Sequence, residues 1–296
     1  MSRVREALAH TGAVPCDWLL VDGSSLIFRA FYGVPPTVRT PDGRPVNAVR
    51  GFMETLARLV TGRRPRRLAV AGDDAWRPAW RVELMPGYKA HRTAEPIPPL
   101  LRPQMPVIEA FLDAIGIDAA GAPEHEGEDV IATWTAQAVG TVEIVSGDRD
   151  LFALVESPRI TVLYPEKSGL TVVDEAEVSR RYGIPGRAYG DFAVLRGDPS
   201  DGLPGLKGVG AAAAAQLIRR YGGVQGLLEE GRVSDSDRAY LTRALRVVRP
   251  VADLPIPLPD GRRDAYPAHA AALTALTERH GLEDSSRRLV EALNRG

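Results

Sequence analysis

Four short apolar runs, three of them closed by acids, constrain this chain more than any other feature. Trp18-Leu19-Leu20-Val21 ends in Asp22-Gly23, Leu68-Ala69-Val70-Ala71 in Gly72-Asp73-Asp74, and Val142-Glu143-Ile144-Val145 in Ser146-Gly147-Asp148. Ile160-Thr161-Val162-Leu163 is the fourth. Each has the length and composition of a buried strand. Between them lie helical spacings: residues 45–59, with Val46, Val49, Phe52, Met53, Leu56 and Val60 on one face, then residues 106–115 and 126–139. Strands alternating with helices predict a parallel α/β sheet with helices on both faces.

After about residue 174 the strand-like runs stop. Helical patterns take over at 188–195, 209–221, 224–229 and 236–247. Residues 250–267 carry Pro255, Pro257 and Pro259 at alternate positions, which favours extended backbone. Residues 268–280 and 285–294 read as two closing helices. The organisation expected is a tail over 1–16, an α/β domain over 17–174 and a helical domain over 175–296. Composition adds exclusions. With 37 Lys+Arg against 38 Asp+Glu, 44% hydrophobic and 25% charged residues, the 296-residue chain is not a collagen, a coiled coil or a disordered tail. A single cysteine, Cys16, excludes an internal disulfide and a cysteine-based zinc site. No apolar run reaches the roughly 18–20 residues of a membrane span. Arg3 and Arg5 precede no apolar segment, so no signal peptide is expected. Lys89, Lys167 and Lys207 are the only lysines, so the excess of arginine reads as genomic bias rather than as a binding signal.

Open parallel sheets bind ligands beyond the carboxyl ends of their strands. Three such ends here carry Asp22, Asp73-Asp74, and Asp148 with Asp150. One aspartate after a strand is an ordinary turn or cap residue; acids at all three ends are harder to explain that way. Glu126, Glu128 and Asp129, with Glu124 just before, open a helix, and Asp198 and Asp201 lie in Gly197-Asp198-Pro199-Ser200-Asp201-Gly202. Carboxylates converging in a dry pocket cannot all ionise without cations. Oxygen ligands without His or Cys select Mg²⁺ or Mn²⁺, and two such ions can clamp the attacking and leaving oxygens of a phosphodiester. The residues therefore point to a metal-dependent nuclease or phosphatase. His91 and His125 stand alone in polar stretches and are not needed as ligands. With Asp22, Asp74, Glu126, Glu128, Asp129, Asp148, Asp150, Asp198 and Asp201 set aside, the rest of the chain is net basic, which suits a polyanionic substrate.

Two further stretches suit DNA. Leu203-Pro204-Gly205-Leu206-Lys207-Gly208-Val209-Gly210 leads into a helix, so its glycines let a phosphate approach backbone N–H groups. That is the chemistry of a helix-hairpin-helix grip on the DNA backbone. Met85-Pro86-Gly87-Tyr88-Lys89-Ala90-His91-Arg92 offers Tyr88 to stack on a base and Lys89 and Arg92 to hold a phosphate.

Together the motifs resemble those of the bacterial 5′-nuclease family, which comprises the 5′–3′ exonuclease domain of DNA polymerase I and the flap endonucleases. The resembling stretches are Leu20-Val21-Asp22-Gly23-Ser24-Ser25, Phe28-Arg29-Ala30-Phe31, Asn47-Ala48-Val49-Arg50-Gly51-Phe52, Tyr88-Lys89-Ala90-His91-Arg92, Ser146-Gly147-Asp148-Arg149-Asp150-Leu151 and Gly197-Asp198-Pro199-Ser200-Asp201. They run from about residue 18 to 229. The resemblance implies a PIN-like parallel-sheet nuclease domain with a helical arch, then an all-helical domain with a helix-three-turn-helix element that can hold K⁺. It implies two Mg²⁺ or Mn²⁺ ions, the first held by Asp22, Asp74, Glu126 and Glu128 and the second by Glu128, Asp148, Asp150 and Asp201, with Asp129 and Asp198 as outer acids. For the pair at 73–74, spacing back from Trp80-Arg81 favours Asp74, with Asp73 the alternative. Lys89 and Arg92 match arch residues at the scissile phosphate. Arg29, Tyr88, Lys207, Gly208 and Gly210 match DNA-contacting positions.

The implied partner is DNA (5′ flaps, branched duplexes and 5′ ends), with a functional link to a DNA polymerase. No polymerase segment follows Gly296, so a stand-alone, monomeric, cytoplasmic nuclease is expected, working at the bacterial nucleoid. Three departures stand out. Glu128-Asp129 replaces the family's Asp-Asp, Gly202 replaces Asn, and alanines at 211–215 replace a polar run. Two rivals are a branched-DNA-binding member that has lost turnover, against which all nine acids are retained, and a PIN-type ribonuclease, which would not need the segment 197–221.

Overall fold

The computed structural model describes residues 16–92, 97–167, 169–231 and 233–295. Its six-stranded sheet runs in the order β3 (Asp118–Ala120), β2 (Arg67–Ala71), β1 (Trp18–Asp22), β4 (Val142–Val145), β5 (Ile160–Glu166), β6 (Gly169–Val173). Every pairing is parallel except β5 with β6, which is antiparallel. The four strands expected from the apolar runs form the centre. The two outer ones escape sequence reading for a physical reason. Strand β3 is only Asp-Ala-Ala, and β6 is an edge with one wet face, so neither needs a continuous apolar run.

Helix α1 (Gly23–Gly33) follows β1, capped by the Asp22 side chain on the Ser25 N–H at 2.9 Å. Then come α2 (Asn47–Arg63), α3 (Ala79–Leu84), α4 (Met105–Ile115) and α5 (Gly127–Gln137). The second half carries α6 (Glu175–Tyr182), α7 (Tyr189–Arg196), α8 (Ala211–Tyr221), α9 (Val224–Glu229), α10 (Asp235–Val248), α11 (Ala270–His280) and α12 (Glu283–Arg295). Among the described residues no helix is long and apolar enough to cross a membrane.

Successive strand residues point to opposite faces, and this splits the core in two. Leu19 and Val21 of β1 join Val70 and Val145, packed under α1, α2, α4 and α12. Trp18 and Leu20 join Ala69 and Ile144 on the other face, under α5 and helices α6 to α10. The shared register sets Asp22 beside Ala71, and Val21 beside Val145. The acids that follow these strands therefore leave the sheet at one level, at one edge.

Two long-range ties hold the second half against that edge. Residues 251–258 run along α5: Val251 N–H donates to Asp129 at 2.8 Å, Trp134 Nε1 to Pro257 O at 3.0 Å, and Leu258 N–H to Gln137 at 2.8 Å. The loop after α7 is tied to the loop after α3, with Lys89 N–H donating to Asp201 O at 3.1 Å. Gly202 makes that approach possible. Its φ is +72°, and a Cβ there would lie 2.0 Å from the Gly87 carbonyl oxygen. Gly208 has a similar φ of +78° but open space around it. Gly208→Ala should cost only the conformational penalty of about 1–2 kcal/mol, and Gly202→Ala clearly more, both read by urea unfolding. Equal losses would contradict the close approach of the two loops.

Candidate metal centre

Hydrogen bonds lace the strand ends together. Asp22 Oδ2 accepts from the Ser146 hydroxyl, and Ser146 Oγ in turn accepts the Asp148 N–H at 2.9 Å. Asp148 Oδ1 accepts the Asp150 N–H at 3.0 Å, and Ser25 Oγ accepts the Gly147 N–H at 2.9 Å. Beyond β2, Asp73 Oδ1 accepts the Gly127 N–H at 2.6 Å, which ties it to the start of α5. That start is a capping box between Glu126 and Asp129. It aims Glu128 at the β4 loop, where Glu128, Asp148 and Asp150 each offer an oxygen within 4.8 Å of the others. Asp201 lies close enough to Asp150 to push its carboxyl up, and the Lys89 Nζ lies 3.8 Å from Asp201 and in contact with Glu126.

A cavity of about 690 Å³ opens over these groups. The acids Asp22, Asp73, Glu126, Glu128 and Asp148 and the cations Arg29, Lys89, Arg92 and Arg149 all line it. Phe28 and Trp76, edge to face at 4.7 Å, form an apolar wall.

The electrostatics of the floor are those of crowded acids. Burial, with Asp73 nearby, pushes the Asp22 carboxyl up to about 7. Burial raises Asp73 and Asp148 too. Glu128 and Asp150 are pushed far above the carboxylate range, first by burial, and Asp150 also by Asp148 and Asp201. Burial acts on Glu126 in the same sense, but Lys89 and Arg81 outweigh it and hold that carboxyl below its ordinary range. A set of hard oxygen donors that destabilise one another's charge is one that a divalent cation relieves. The residues fit Mg²⁺ or Mn²⁺.

Several expectations need correcting. Of the two acids after β2, Asp73 lines the cavity. Asp74 is exposed, and its Oδ2 accepts the Glu124 N–H at 2.9 Å, because the chain turns so that the first acid meets the start of α5. Tyr88 cannot stack on a base. It is 2% exposed, its hydroxyl donates to Glu126 Oε2 at 2.6 Å, and Arg81 and Lys89 lie against its ring. Asp129 is fully buried beneath the floor.

Asp198 stays in its own turn, accepting the Ser200 N–H at 2.9 Å, with Arg196 at 3.4 Å and Arg149 at 3.6 Å. Lys207, Gly208 and Gly210 lie exposed on the turn before α8 and do not line the cavity. The stretch expected as the arch holds 3₁₀ turns at Ala90–Arg92 and Arg102–Gln104; part of it, residues 93–96, lies outside the described residues. Sequence reasoning missed Arg81, used only as a spacing mark. No local signal separates an arginine destined for burial from the many at the surface.

The raised carboxyls tie stability to pH. In the folded state Asp22 keeps its proton between 3.8, its ordinary value, and about 7, whereas the unfolded chain releases it. The acidic floor therefore loses stability as pH rises through that window, and a divalent cation, which competes with the protons, restores it. The gap between Tm in Mg²⁺ and Tm in EDTA should widen as pH climbs from about 4 to about 7. A gap that does not change with pH would contradict an ion site built from these acids.

Known proteins are similar to this chain in sequence and fold. A family model for the 5′–3′ exonuclease N-terminal resolvase-like domain matches residues 17–183, and one for the 5′–3′ exonuclease C-terminal SAM fold matches residues 184–258. A 5′–3′ exonuclease of Streptomyces coelicolor is 47% identical, covering 93% of this chain and 99% of its own length. DNA polymerase I of Mycobacterium bovis is 41% identical over 77% of this chain and 26% of its own length. A solved complex of bacteriophage T5 flap endonuclease with DNA and metal ions has the same fold, with TM-score 0.64 at 15% identity over 94% of this chain and 99% of that one. With both halves of the fold matched by these models, the chain belongs to the 5′–3′ exonuclease family.

Proposed function

We propose that this chain is a structure-selective 5′-nuclease that hydrolyses DNA phosphodiesters at 5′ ends and at the base of 5′ flaps in replication and repair. The observation that carries the reading is the Glu128–Asp148–Asp150 oxygen cluster beside a cavity that is also lined by Arg29, Lys89, Arg92 and Arg149. Asp22, Asp73, Glu126 and Glu128 would hold one Mg²⁺ or Mn²⁺, and Glu128, Asp148, Asp150 and Asp201 a second. Bound there, the ions would supply charge stabilisation to the attacking and leaving oxygens.

The chain's own residues do the rest. Lys89 stands between Glu126 and Asp201, on a backbone with φ of 44° tied to the Asp201 carbonyl, so its ammonium waits where a scissile phosphate would enter. Arg29 and Arg92 flank it on the cavity wall and can hold neighbouring phosphates. Phe28 and Trp76 add an apolar surface to the same cavity. The exposed turn with Lys207, Gly208 and Gly210, and the free N–H groups opening α8, suit a duplex backbone, which they would grip without reading sequence. A K⁺ ion in that turn belongs to the same reading, as does a monomer working in the bacterial cytoplasm beside a DNA polymerase.

Incubation of a labelled 5′-flap DNA with the protein tests this directly. Cleavage is expected with Mg²⁺ or Mn²⁺ and none in EDTA; failure with both metals, or far faster cutting of an RNA flap, would overturn it. Asp148→Ala should keep flap affinity and lose cleavage, and Lys89→Ala should slow single-turnover cleavage about a hundredfold. Equal loss of affinity and rate in Asp148→Ala would contradict an ion-holding role.

A further inference from the structure

Two Lys or Arg side chains are buried among the described residues, Lys89 and Arg81. The proposed chemistry uses Lys89 and leaves Arg81 without a task. A fully buried guanidinium is costly unless its partners are fixed, and here they are three carboxylates from one helical turn. The Arg81 plane lies against the rings of Trp80 and Tyr88, at 4.9 and 5.7 Å from their centroids. Its Nη1 donates to Glu126 Oε2 and stands 2.9 Å from Glu128 Oε1, and its Nη2 donates to Asp129 Oδ1 at 2.7 Å. Nε has no partner, so the whole hydrogen-bonding effort of the side chain goes into the fork.

Accounting for each carboxylate oxygen separates the three acids. Asp129 is fully buried and does not line the cavity: Oδ1 also takes the Val251 N–H at 2.8 Å, and Oδ2 takes the Glu126 N–H at 3.3 Å. Glu126 Oε2 takes Arg81 and the Tyr88 hydroxyl, while Oε1, among the described residues, takes only Lys89 and faces the cavity. Glu128 Oε2 has no protein donor among the described residues, and of the three acids Glu128 is the one that also reaches Asp148 and Asp150.

We propose that Arg81 is the positioning residue of the ion site: its fork takes one oxygen from each of Glu126, Glu128 and Asp129, leaving Glu126 and Glu128 one oxygen apiece for a cation and Asp129 none. This rests on the nuclease reading above. It assigns Asp129 as a support for Arg81 and for the start of α5, and it makes the guanidinium's shape, not only its charge, the thing that matters. A lysine keeps the charge but cannot span three carboxylates.

Direct titration of the full chain with Mn²⁺ in the absence of DNA, followed by electron paramagnetic resonance of the free ion, separates the possibilities. Wild-type protein is expected to bind Mn²⁺; if it does not, the nuclease site itself is wrong. Arg81→Lys should bind Mn²⁺ about 10–100-fold more weakly, as losses of residues that orient metal ligands do. Its flap affinity in EDTA should stay as in wild type, and raised Mn²⁺ should recover its cleavage rate. Mn²⁺ binding by folded Arg81→Lys equal to that of wild type, with wild type binding, would overturn the inference alone, because it would leave Arg81 a structural or purely electrostatic group. Should Arg81→Lys not fold, Asp129→Asn carries the test: it should bind as many Mn²⁺ ions as wild type, and loss of an ion would show Asp129 to be a ligand and the division of oxygens to be wrong.

Discussion

Repulsion among buried carboxylates is the constraint on which this structure turns. The parallel register of β1, β2 and β4 brings Asp22, Asp73, Asp148 and Asp150 to one level, and α5 adds Glu126, Glu128 and Asp129 from above. Like charges at that spacing cannot all ionise in a poorly solvated site. The protein offsets part of the cost from within, through backbone N–H groups of Ser25, Gly127 and Asp150, through the Ser146 hydroxyl, and through two buried cations. What remains is an excess of oxygen donors on the cavity side. That excess is a binding property, because a divalent ion is the group that removes it best.

The same constraint explains why the second half of the chain is folded into the site rather than appended to it. Asp201 comes from the loop after α7 and reaches Asp150, and the backbone around it is tied to Lys89. Val251, far along the chain, supplies the N–H that fixes Asp129. An acid cluster held from one half alone would relax apart. Ties from both halves keep the groups close enough to share an ion.

Much of this was legible in the residues. Short β-branched and leucine-rich runs ended by acids betray central strands and the edge where a ligand sits, since a strand buried on both faces must be apolar throughout. The acids at Asp22, Asp148 and Asp150 follow from that placement, and Glu126 and Glu128 from the acidic opening of a helix. Strands β3 and β6 did not announce themselves, because a short or half-wet edge strand needs no such run. Spacing favoured Asp74 over Asp73 and pointed to the exposed one: neighbours in a turn point in different directions, and only the contact with Gly127 decides which faces inward.

By itself the sequence determined the parallel α/β core, the helical second half and the edge at which charge collects, because hydrophobic period and chain order act locally. Only the tertiary structure decided which side chains are buried at that edge. Tyr88, adjacent to cationic residues and suited in isolation to stacking, turns inward to Glu126, and Arg81, one arginine among many, is taken out of water to bind three acids at once. The physical reason is that burying a charge is favourable only where partners from distant segments already stand, and no window of neighbouring residues contains them.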